Sequence, residues 1–409
     1  MSSLIFRKGL DLKHAVAGML AESYHSQLIT QVKDNDFTHR VGRLTLHLAR
    51  EFGFCYGVDR AVDYAYQTRQ RFPDRRVFLT GEIIHNPHVN EKLRAMGILF
   101  LSDQPDRSGV QGPDGGVQLD LTELRPSDVV ILPAFGVTVR LLQALEERGC
   151  TLVDTTCGSV LNVWKNVRRY ADGGYTSVIH GKVWHEETQA TASQAVAFGG
   201  HYLVVFDDGE ARVACDYIVS GGDRQAFLAR FSGAVSAGFD PDRHLDRIGL
   251  ANQTTMLMSE SLAIGEMFKS AMTRRWGNSD VESHYLAFDT ICSATQDRQD
   301  AVVTLLRDHP VDLMVVIGGY NSSNTANLAR ICAASRPTFH IADPECLVSA
   351  DEIRHRPVGA KTEATTTRWL PQLGPVRIGL TSGASTPDNL VGAAIARLEA
   401  CCAELPNSL

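Results

Sequence analysis

The sequence lacks the features by which several classes of protein are recognised. It contains no C-x-x-C pair, no glycine-rich dinucleotide fingerprint and no phosphate-binding loop that ends in lysine. A zinc ribbon and a ferredoxin-like cysteine run are therefore excluded, and a nucleotide ligand is disfavoured. No stretch approaches the ~20 apolar residues of a membrane span, and the first residues lack the apolar segment of a secretory signal. The formal net charge of −7 disfavours a general nucleic-acid-binding surface.

What the sequence does contain is typical of a globular protein with several domains. Its 409 residues, 44% of them hydrophobic, exceed the size of one hydrophobic core, so two or three domains are expected. Apolar runs that end in polar or glycine-rich loops alternate with helical patterns along the chain, which predicts a parallel α/β architecture. Nine cysteines without a signal indicate thiols or metal ligands in a reducing compartment rather than structural disulfides.

Three segments of the chain resemble one another and predict a threefold repeat. Each segment has an apolar run that ends in a cysteine and is followed by an amphipathic helix pattern; these cysteines are Cys55, Cys157 and Cys292. The other six cysteines share no position in the repeat and are interpreted as ordinary thiols.

Two further loops recur in each repeat, at the ends of its second and fourth apolar runs. The second runs bring His85, His185 and Ser322, and the fourth runs lead into loops centred on Gly136, Gln253 and Gly383. The repeat sets the expected boundaries, which are an extension at 1–44, α/β domains at 45–156, 157–291 and 292–398, and a tail at 399–409. The extension is expected to be partly helical, and residues 102–118 predict a surface loop.

The repeated cysteines predict a metal centre. Ligands of parallel sheets bind at the carboxyl ends of the strands, so three units around a pseudo-threefold axis would direct these loops to one cavity. Thiolates at helix N-termini are stabilised by the helix dipole and by free amides. Three thiolates fit a 4Fe-4S cluster with one iron that has no protein ligand. Zinc with a fourth histidine or water stays open, as do three flavodoxin-like domains with incidental core cysteines.

The remaining loops predict an anion site and a proton carrier. The NSSN and SGASTPDN segments join a strand to a helix with hydroxyls and exposed amides, an arrangement that binds phosphate groups. His85 and His185 can donate hydrogen bonds to the same anion. Glu187 is either a proton donor or a solvated acid, and Thr254 either relays a proton or caps a helix.

Taken together, the motifs resemble one known family. GFCYGVDRAV, IIHNPHVNEKL, VDTTCGSV, HEET, NQTT, DTICSATQDRQ, NSSNT and TSGASTPDNLV, which extend from about residue 45 to about residue 398, are similar to those of the 4-hydroxy-3-methylbut-2-enyl diphosphate reductases. The resemblance implies a trefoil of three α/β domains with small, mostly parallel sheets around a central iron–sulfur cluster. It also implies the two-electron reductive dehydroxylation of (E)-4-hydroxy-3-methylbut-2-enyl diphosphate to isopentenyl and dimethylallyl diphosphate, the last step of the methylerythritol phosphate pathway.

The resemblance also implies a role for each candidate residue. The implied ligands of the 4Fe-4S cluster, whose fourth iron is open to substrate, are Cys55, Cys157 and Cys292. The implied diphosphate-binding residues are His85, His185, Ser322, Asn324 and Ser385, with Ser323 beside them. Glu187 matches the proton-delivering acid, Thr254 the threonine beside the substrate hydroxyl, and Gln253 helps to position that network. The implied partners are the allylic diphosphate and a one-electron donor such as ferredoxin or flavodoxin.

One position departs from the family pattern. Many bacterial members read AHGV where this chain reads AFGV at 134–137, so Phe135 occupies the position of a third diphosphate-binding histidine. Phe135, HEET and the N-terminal extension resemble the cyanobacterial and plant branch, and the acid-bearing N-terminus favours a bacterial cytoplasm over a plastid. Two other functions stay open, namely a cluster-based dehydratase or synthase resembling quinolinate synthase, which needs no reductant, and a non-enzymatic iron–sulfur sensor.

Overall fold

The computed structural model describes residues 4–103, 119–288 and 290–405. Its strands are β1 (Ile5–Phe6), β2 (Thr38–Val41), β3 (Leu44–Leu48), β4 (Val77–Leu79), β5 (Ile98–Phe100), β6 (Val129–Leu132), β7 (Thr151–Asp154), β8 (Thr176–His180), β9 (Tyr202–Val205), β10 (Ile248–Asn252), β11 (Tyr285–Ala287), β12 (Leu313–Ile317), β13 (Thr338–Ile341), β14 (Glu352–His355), β15 (Ala364–Thr367) and β16 (Val376–Ser382). Its α-helices are α1 (Lys13–Tyr24), α2 (Gln27–Asp34), α3 (Tyr56–Arg71), α4 (Pro87–Ala95), α5 (Val139–Glu147), α6 (Gly158–Asp172), α7 (Glu186–Ala197), α8 (Asp208–Ser220), α9 (Arg224–Arg230), α10 (Pro241–His244), α11 (Met258–His284), α12 (Ser293–Asp308), α13 (Ser323–Ala333) and α14 (Asp388–Ala403).

The strands of the described residues form three small sheets and one two-stranded ribbon. The first sheet has the order β1-β7-β6-β4-β5, the second β11-β10-β8-β9, and the third β13-β12-β16-β3-β2. All neighbouring strands in these sheets are parallel except β2 and β3, and the ribbon of β14 and β15 is antiparallel. The predicted fold class, α/β with small and mostly parallel sheets, is confirmed.

The same strand order recurs in all three sheets and refines the repeat. In each sheet, the third, second and fourth strands of one repeat lie side by side in that order, and the next strand across the sheet is one that leads into a cysteine. The three orders are β5-β4-β6-β7, β9-β8-β10-β11 and β13-β12-β16-β3. The strand before Cys157 thus lies in the sheet of the first repeat, the strand before Cys292 in that of the second, and the strand before Cys55 in that of the third. Strand β3 pairs with β16, not with β4, although β3 and β4 fall in the same expected domain, 45–156. Hydrogen bonding to a distant segment places it there; the domain boundaries and the pseudo-threefold arrangement stay predictions.

Tertiary contacts divide the chain into two compact units. Unit 1 consists of Met1–Leu10, Thr68–Ile83 and Arg94–Cys292, and it contains the first and second sheets. Unit 2 consists of Asp11–Gln67, Ile84–Leu93 and Ser293–Leu409, and it contains the third sheet and the ribbon.

Strand β12 is apolar along its whole length because both faces of its sheet are covered. In β12, Leu313, Val315 and Ile317 pack in one core with Ile378 and Leu380 of β16. The intervening Met314 and Val316 pack in a second core against α12 and α13 residues such as Leu305 and Leu328. The same alternation occurs in β8, whose Val178 and Ile179 belong to different cores. The continuous apolar runs of the sequence are therefore central parallel strands.

The N-terminal extension and the C-terminal helix contribute more to the sheets and the core than the sequence predicts. The extension contains α1 and α2, as expected, but also the edge strands β1 and β2. Helix α14 continues to Ala403, past the expected start of the tail at 399, because Cys401 and Cys402 pack in the core. Most of the predicted surface loop, residues 104–118, lies outside the described residues. Among the helices of the described residues, none has the length and apolarity needed to cross a bilayer.

Candidate active site

The three repeated cysteines lie at equivalent positions, each at the start of a helix. Cys55 precedes α3, Cys157 is the N-cap of α6, and Cys292 precedes α12. Each backbone N–H donates to the second residue after a fourth strand, giving Cys55 to Ala384 O at 3.2 Å, Cys157 to Ala134 O at 2.8 Å and Cys292 to Thr254 O at 3.4 Å. The same hydrogen bond therefore fixes the backbone position of each of the three cysteines. Cys157 and Cys292 belong to unit 1, and Cys55 belongs to unit 2.

Exposure separates these three cysteines from the other six. All nine are thiols, but Cys55, Cys157 and Cys292 are half-buried whereas the remainder are buried. Burial raises the pKa of the thiol to about 12 in Cys215 and Cys332 and to about 11 in Cys402. It also raises the thiol pKa of Cys150, Cys346 and Cys401. Because the thiolate is the form that binds metals, these six are poor ligands.

Glu187 and Thr254 form a buried hydrogen-bonded pair in unit 1. Glu187 lies in the first turn of α7 and is only 3% exposed. Its Oε1 accepts from the backbone N–H of Thr254 at 2.5 Å, and its Oε2 accepts from the Thr254 hydroxyl at 3.0 Å. Because the Thr254 carbonyl also accepts from the Cys292 N–H, one residue joins the acid to a cysteine-bearing loop. The carboxyl group is thus buried and held by two hydrogen bonds, and it is not a solvated acid.

His185 and Gln253 flank this pair with fixed orientations. His185 caps α7, and its Nδ1 accepts from the backbone N–H of Glu187 at 3.2 Å. In a neutral ring this assigns the proton to Nε2, which then is a donor. The Gln253 Oε1 accepts from the backbone N–H of Lys182 at 3.1 Å and from the Thr188 hydroxyl at 3.2 Å. Because the Lys182 N–H needs an acceptor, the side-chain atom that it meets must be the oxygen and not the nitrogen of the Gln253 amide.

Phe135, the position that departs from the family pattern, packs against His185. The two rings meet edge to face, with centroids 6.3 Å apart and an interplanar angle of 75°. Gly136 follows with φ +79°, and a Cβ there would lie 2.5 Å from the ring of Trp164. The loop therefore requires glycine, and Phe135 supplies an apolar wall where a histidine would supply a hydrogen bond. A pocket of about 410 Å³ opens beside the loop, between Phe135, Arg140 and Trp184.

Unit 2 holds most of the candidate anion-binding residues. Ser322 caps α13, where its Oγ accepts from the Thr325 N–H at 3.3 Å, and Ser323 and Asn324 lie buried in the first turn. The Asn324 Oδ1 accepts from the Ala384 N–H at 3.0 Å, and its Nδ2 is buried without a hydrogen-bond partner among the described residues. A buried amide donor without an acceptor is costly, so the site fits an anionic oxygen.

His85 is held in the same unit by the loop after β16. The Ser385 hydroxyl donates to the His85 carbonyl at 3.2 Å. Gly319 approaches the same carbonyl so closely that a Cβ would lie 2.6 Å from it. Three residues further on, the His88 Nε2 lies 2.5 Å from Asp343 Oδ2. These contacts bring His85, Asn324 and Ser385 together in unit 2.

Comparison with known proteins gives the family. The LytB protein family model matches residues 46–399. The chain belongs to this family. A relative from Synechococcus sp. (strain RCC307) is 52% identical over 394 residues, covering 96% of this chain and 92% of the relative. A relative from Gloeobacter violaceus (strain ATCC 29082 / PCC 7421) is 50% identical over 394 residues, covering 96% and 91%. Both are 4-hydroxy-3-methylbut-2-enyl diphosphate reductases.

Solved structures agree with this assignment of the LytB chain. The structure of (E)-4-hydroxy-3-methyl-but-2-enyl diphosphate reductase, the terminal enzyme of the non-mevalonate pathway, is 26% identical with a TM-score of 0.50, covering 87% of this chain and 98% of the other. The Plasmodium falciparum E-1-hydroxy-2-methyl-but-2-enyl-4-diphosphate reductase, 20% identical with a TM-score of 0.61, covers 86% and 87% and supports the fold alone. The resemblance read from the motifs is confirmed, including the similarity to cyanobacterial sequences.

The structure of this LytB protein adds residues that the sequence reasoning missed. Thr290 lies two residues before Cys292, and its Oγ1 accepts from both the backbone N–H and the Nδ2 of Asn252, at 2.8 and 3.1 Å. Arg298, 3% exposed on α12, donates to the Gly53 carbonyl beside Cys55. Both residues lie in the DTICSATQDRQ motif. For Arg298, the available signal was a basic residue within an amphipathic helix pattern.

Proposed function

We propose that the chain catalyses the reductive dehydroxylation of (E)-4-hydroxy-3-methylbut-2-enyl diphosphate. Two electrons and two protons are consumed, the allylic C–O bond breaks, and the hydroxyl leaves as water while carbon gains hydrogen to give isopentenyl or dimethylallyl diphosphate. The observation that carries the proposal is Thr254, which binds the Glu187 carboxyl group through its N–H and hydroxyl and the Cys292 N–H through its carbonyl. A proton carrier and a metal-ligand candidate thus share one positioning residue.

The chemistry of the donor set fits an iron–sulfur cluster held by Cys55, Cys157 and Cys292. These thiols are half-buried at helix starts, whereas the other six are buried with thiol pKa values raised. Thiolates are the usual ligands of iron–sulfur clusters, and three of them leave one iron of a 4Fe-4S cluster without a protein ligand. When bound, such a cluster supplies single electrons and a Lewis-acidic iron.

Glu187 is the proposed proton donor to the departing hydroxyl. Its carboxyl oxygens are fixed by two bonds to Thr254, so the proton is presented from a defined position. The Thr254 hydroxyl, which donates to Glu187 Oε2, is the proposed relay of that proton. Gln253, oriented by Lys182 and Thr188, keeps the NQTT loop in register with α7.

The diphosphate is proposed to bind the residues at helix starts in unit 2, and the family resemblance adds His185 to the candidate donors. Asn324 offers its buried Nδ2, Ser322, Ser323 and Ser385 offer hydroxyls, and the α13 N-terminus adds a positive dipole. The Nε2 of His185 and the ring of His85 complete the set. These donors would orient the substrate and hold its charge.

The proposed electron source is a separate one-electron donor such as ferredoxin or flavodoxin. The sequence carries no dinucleotide fingerprint that would place a hydride donor on this chain. A bacterial cytoplasmic location stays a prediction.

The test is an anaerobic assay with reconstituted protein, a chemical reductant and the allylic diphosphate. Wild-type protein should form both isoprenoid diphosphates, and single Cys55→Ala, Cys157→Ala and Cys292→Ala variants should lose iron, sulfide and product. The matched control is Cys332→Ala, a buried thiol in unit 2, which should keep its cluster. Wild-type iron and sulfide in the three variants would refute the ligand set. Turnover without any reductant would instead indicate a dehydratase or synthase.

A further inference from the structure

Arg298 is a buried cation with no anionic partner in the described residues. It lies on α12 and is 3% exposed. Its Nη1 donates to the Ala294 carbonyl and its Nη2 to the Gly53 carbonyl, both at 2.7 Å, and its Nε has no hydrogen-bond partner among the described residues. Neutral carbonyls satisfy the N–H groups that they meet but leave the charge uncompensated, and an unpaired buried charge is costly. The position therefore calls for an anion nearby.

The carbonyl that Arg298 binds belongs to the loop of Cys55. Gly53 precedes this cysteine by two residues, which limits the separation of their Cα atoms to about 7 Å. The Gly53 N–H donates to the Ser382 hydroxyl at 2.9 Å, and the Cys55 N–H donates to Ala384 O. Arg298 thus closes a set of bonds that holds residues 53–55 against the third sheet. Gly53 and Cys55 follow β3, Ser382 ends β16 and Ala384 follows it, so these four residues lie at the carboxyl ends of the two parallel strands.

We propose that Arg298 is a positioning residue that fixes the Cys55 loop and supplies the positive charge that balances the cluster thiolates. The inference rests on the function proposed above. Thiolates bound to an iron–sulfur cluster bring net negative charge, and net charge and hydrogen bonding around a cluster set its reduction potential. A cation beside Cys55 stabilises the more negative, reduced state. Removing the cation should therefore lower the midpoint potential.

The experiment uses reconstituted holoprotein with Arg298→Met, which removes the charge and keeps the apolar stem, and Arg298→Lys, which keeps the charge and removes the planar fork. The control is Arg336→Met, because Arg336 also binds a carbonyl, that of Val311, but at the amino end of the same sheet. Three quantities are measured without oxygen: the midpoint potential, iron and sulfide content, and the rate of iron release to a chelator.

Arg298→Met should have a more negative midpoint potential. It should also release iron faster, by up to about 10- to 100-fold if the loss of metal affinity that follows removal of a ligand-orienting group lies in the release rate. Arg298→Lys should keep the potential near the wild-type value while iron release stays fast, and Arg336→Met should match wild type in both. A wild-type potential in Arg298→Met overturns the proposal. If that variant does not fold, a shifted potential in Arg298→Lys overturns it equally.

The two proposals fail separately. Wild-type protein that holds iron and sulfide and reduces the substrate, with Arg298 variants unchanged in potential, removes the role of Arg298 alone. Wild-type protein that holds no cluster and forms no product removes the proposed function and this role together.

Discussion

Replacing Glu187 by glutamine separates the loss of a proton donor from the loss of the hydrogen bonds that hold the side chain. The amide has the size of the carboxyl group and keeps an oxygen that accepts from the Thr254 N–H, but it cannot deliver a proton. A hydrogen bond to a charged acceptor contributes about 1.5–3 kcal/mol and a neutral one about 0.5–1.5 kcal/mol. With two such bonds, their total contribution falls from about 3–6 to about 1–3 kcal/mol. The variant should therefore lose about 2–3 kcal/mol of folding free energy, partly offset because a carboxylate is no longer buried. The fold should therefore survive.

Activity should respond far more strongly than stability. A positioned proton donor contributes about 10²- to 10⁴-fold to the rate, so kcat of Glu187→Gln should fall about 1000-fold, or about 4 kcal/mol. KM should change by less than about threefold, because the acid does not bind the diphosphate. The assay is anaerobic steady-state turnover with excess reductant, normalised to iron and sulfide content.

The neighbouring acid provides a matched control. Glu186 precedes Glu187 on the same turn, but its side chain is 56% exposed. Glu186→Gln should therefore retain kcat within about threefold. Equal losses in the two variants would show that a charge in this turn matters, not the proton of Glu187. A kcat of Glu187→Gln near the wild-type value would remove it as the proton source.

Three further predictions test the loops and the acid response. Gly136→Ala should lower the free energy of unfolding by about 3 kcal/mol, because the new Cβ meets the Trp164 ring on a left-handed backbone. The control Gly199→Ala, at φ +76° with open space around it, should lower it by only about 1–2 kcal/mol. Equal melting temperatures of the two variants would contradict this. His88→Gln removes the half-exposed pair with Asp343, so KM should rise up to about fivefold with kcat unchanged; a changed kcat alone would contradict it. Burial lowers the pKa of His180 to about 4, so its neutral form stabilises the fold above pH 6.5. About 3 kcal/mol should be lost as the pH falls from 6.5 to 4, and His180→Gln should lack that part of the loss in pH-dependent unfolding.

The sequence predicted the elements of the site well because their signals are local. Each predicted strand end and helix start around Cys157, His185 and Ser322 is found in the structure, since continuous apolar runs and polar caps depend on neighbouring residues only. The resemblance of these motifs to the LytB family also predicted the activity. The roles of individual residues stay proposals, to be decided by the variants above.

The sequence failed where partners are distant. Strands β3 and β4 follow one another in the expected domain 45–156, yet β3 pairs with β16, more than 300 residues away. Arg298 and Gly53 are 245 residues apart, and Asn252 and Thr290 are 38 apart. No pattern within one segment encodes such pairs, because a hydrogen bond depends on where two segments meet in space.

What the sequence by itself determined is the repeated strand and helix pattern, the fold class and the candidates for the chemically active side chains, because periodicity, caps and residue chemistry depend on the residues along the chain. Tertiary structure alone decided which of them meet. It gave each sheet a cysteine strand from the neighbouring repeat, fixed Glu187 to Thr254, left Asn324 Nδ2 without an acceptor in the described residues, and buried Arg298 beside the Cys55 loop. The physical reason is that burial and hydrogen-bond partnership are properties of the packed molecule, whereas propensity is a property of the segment.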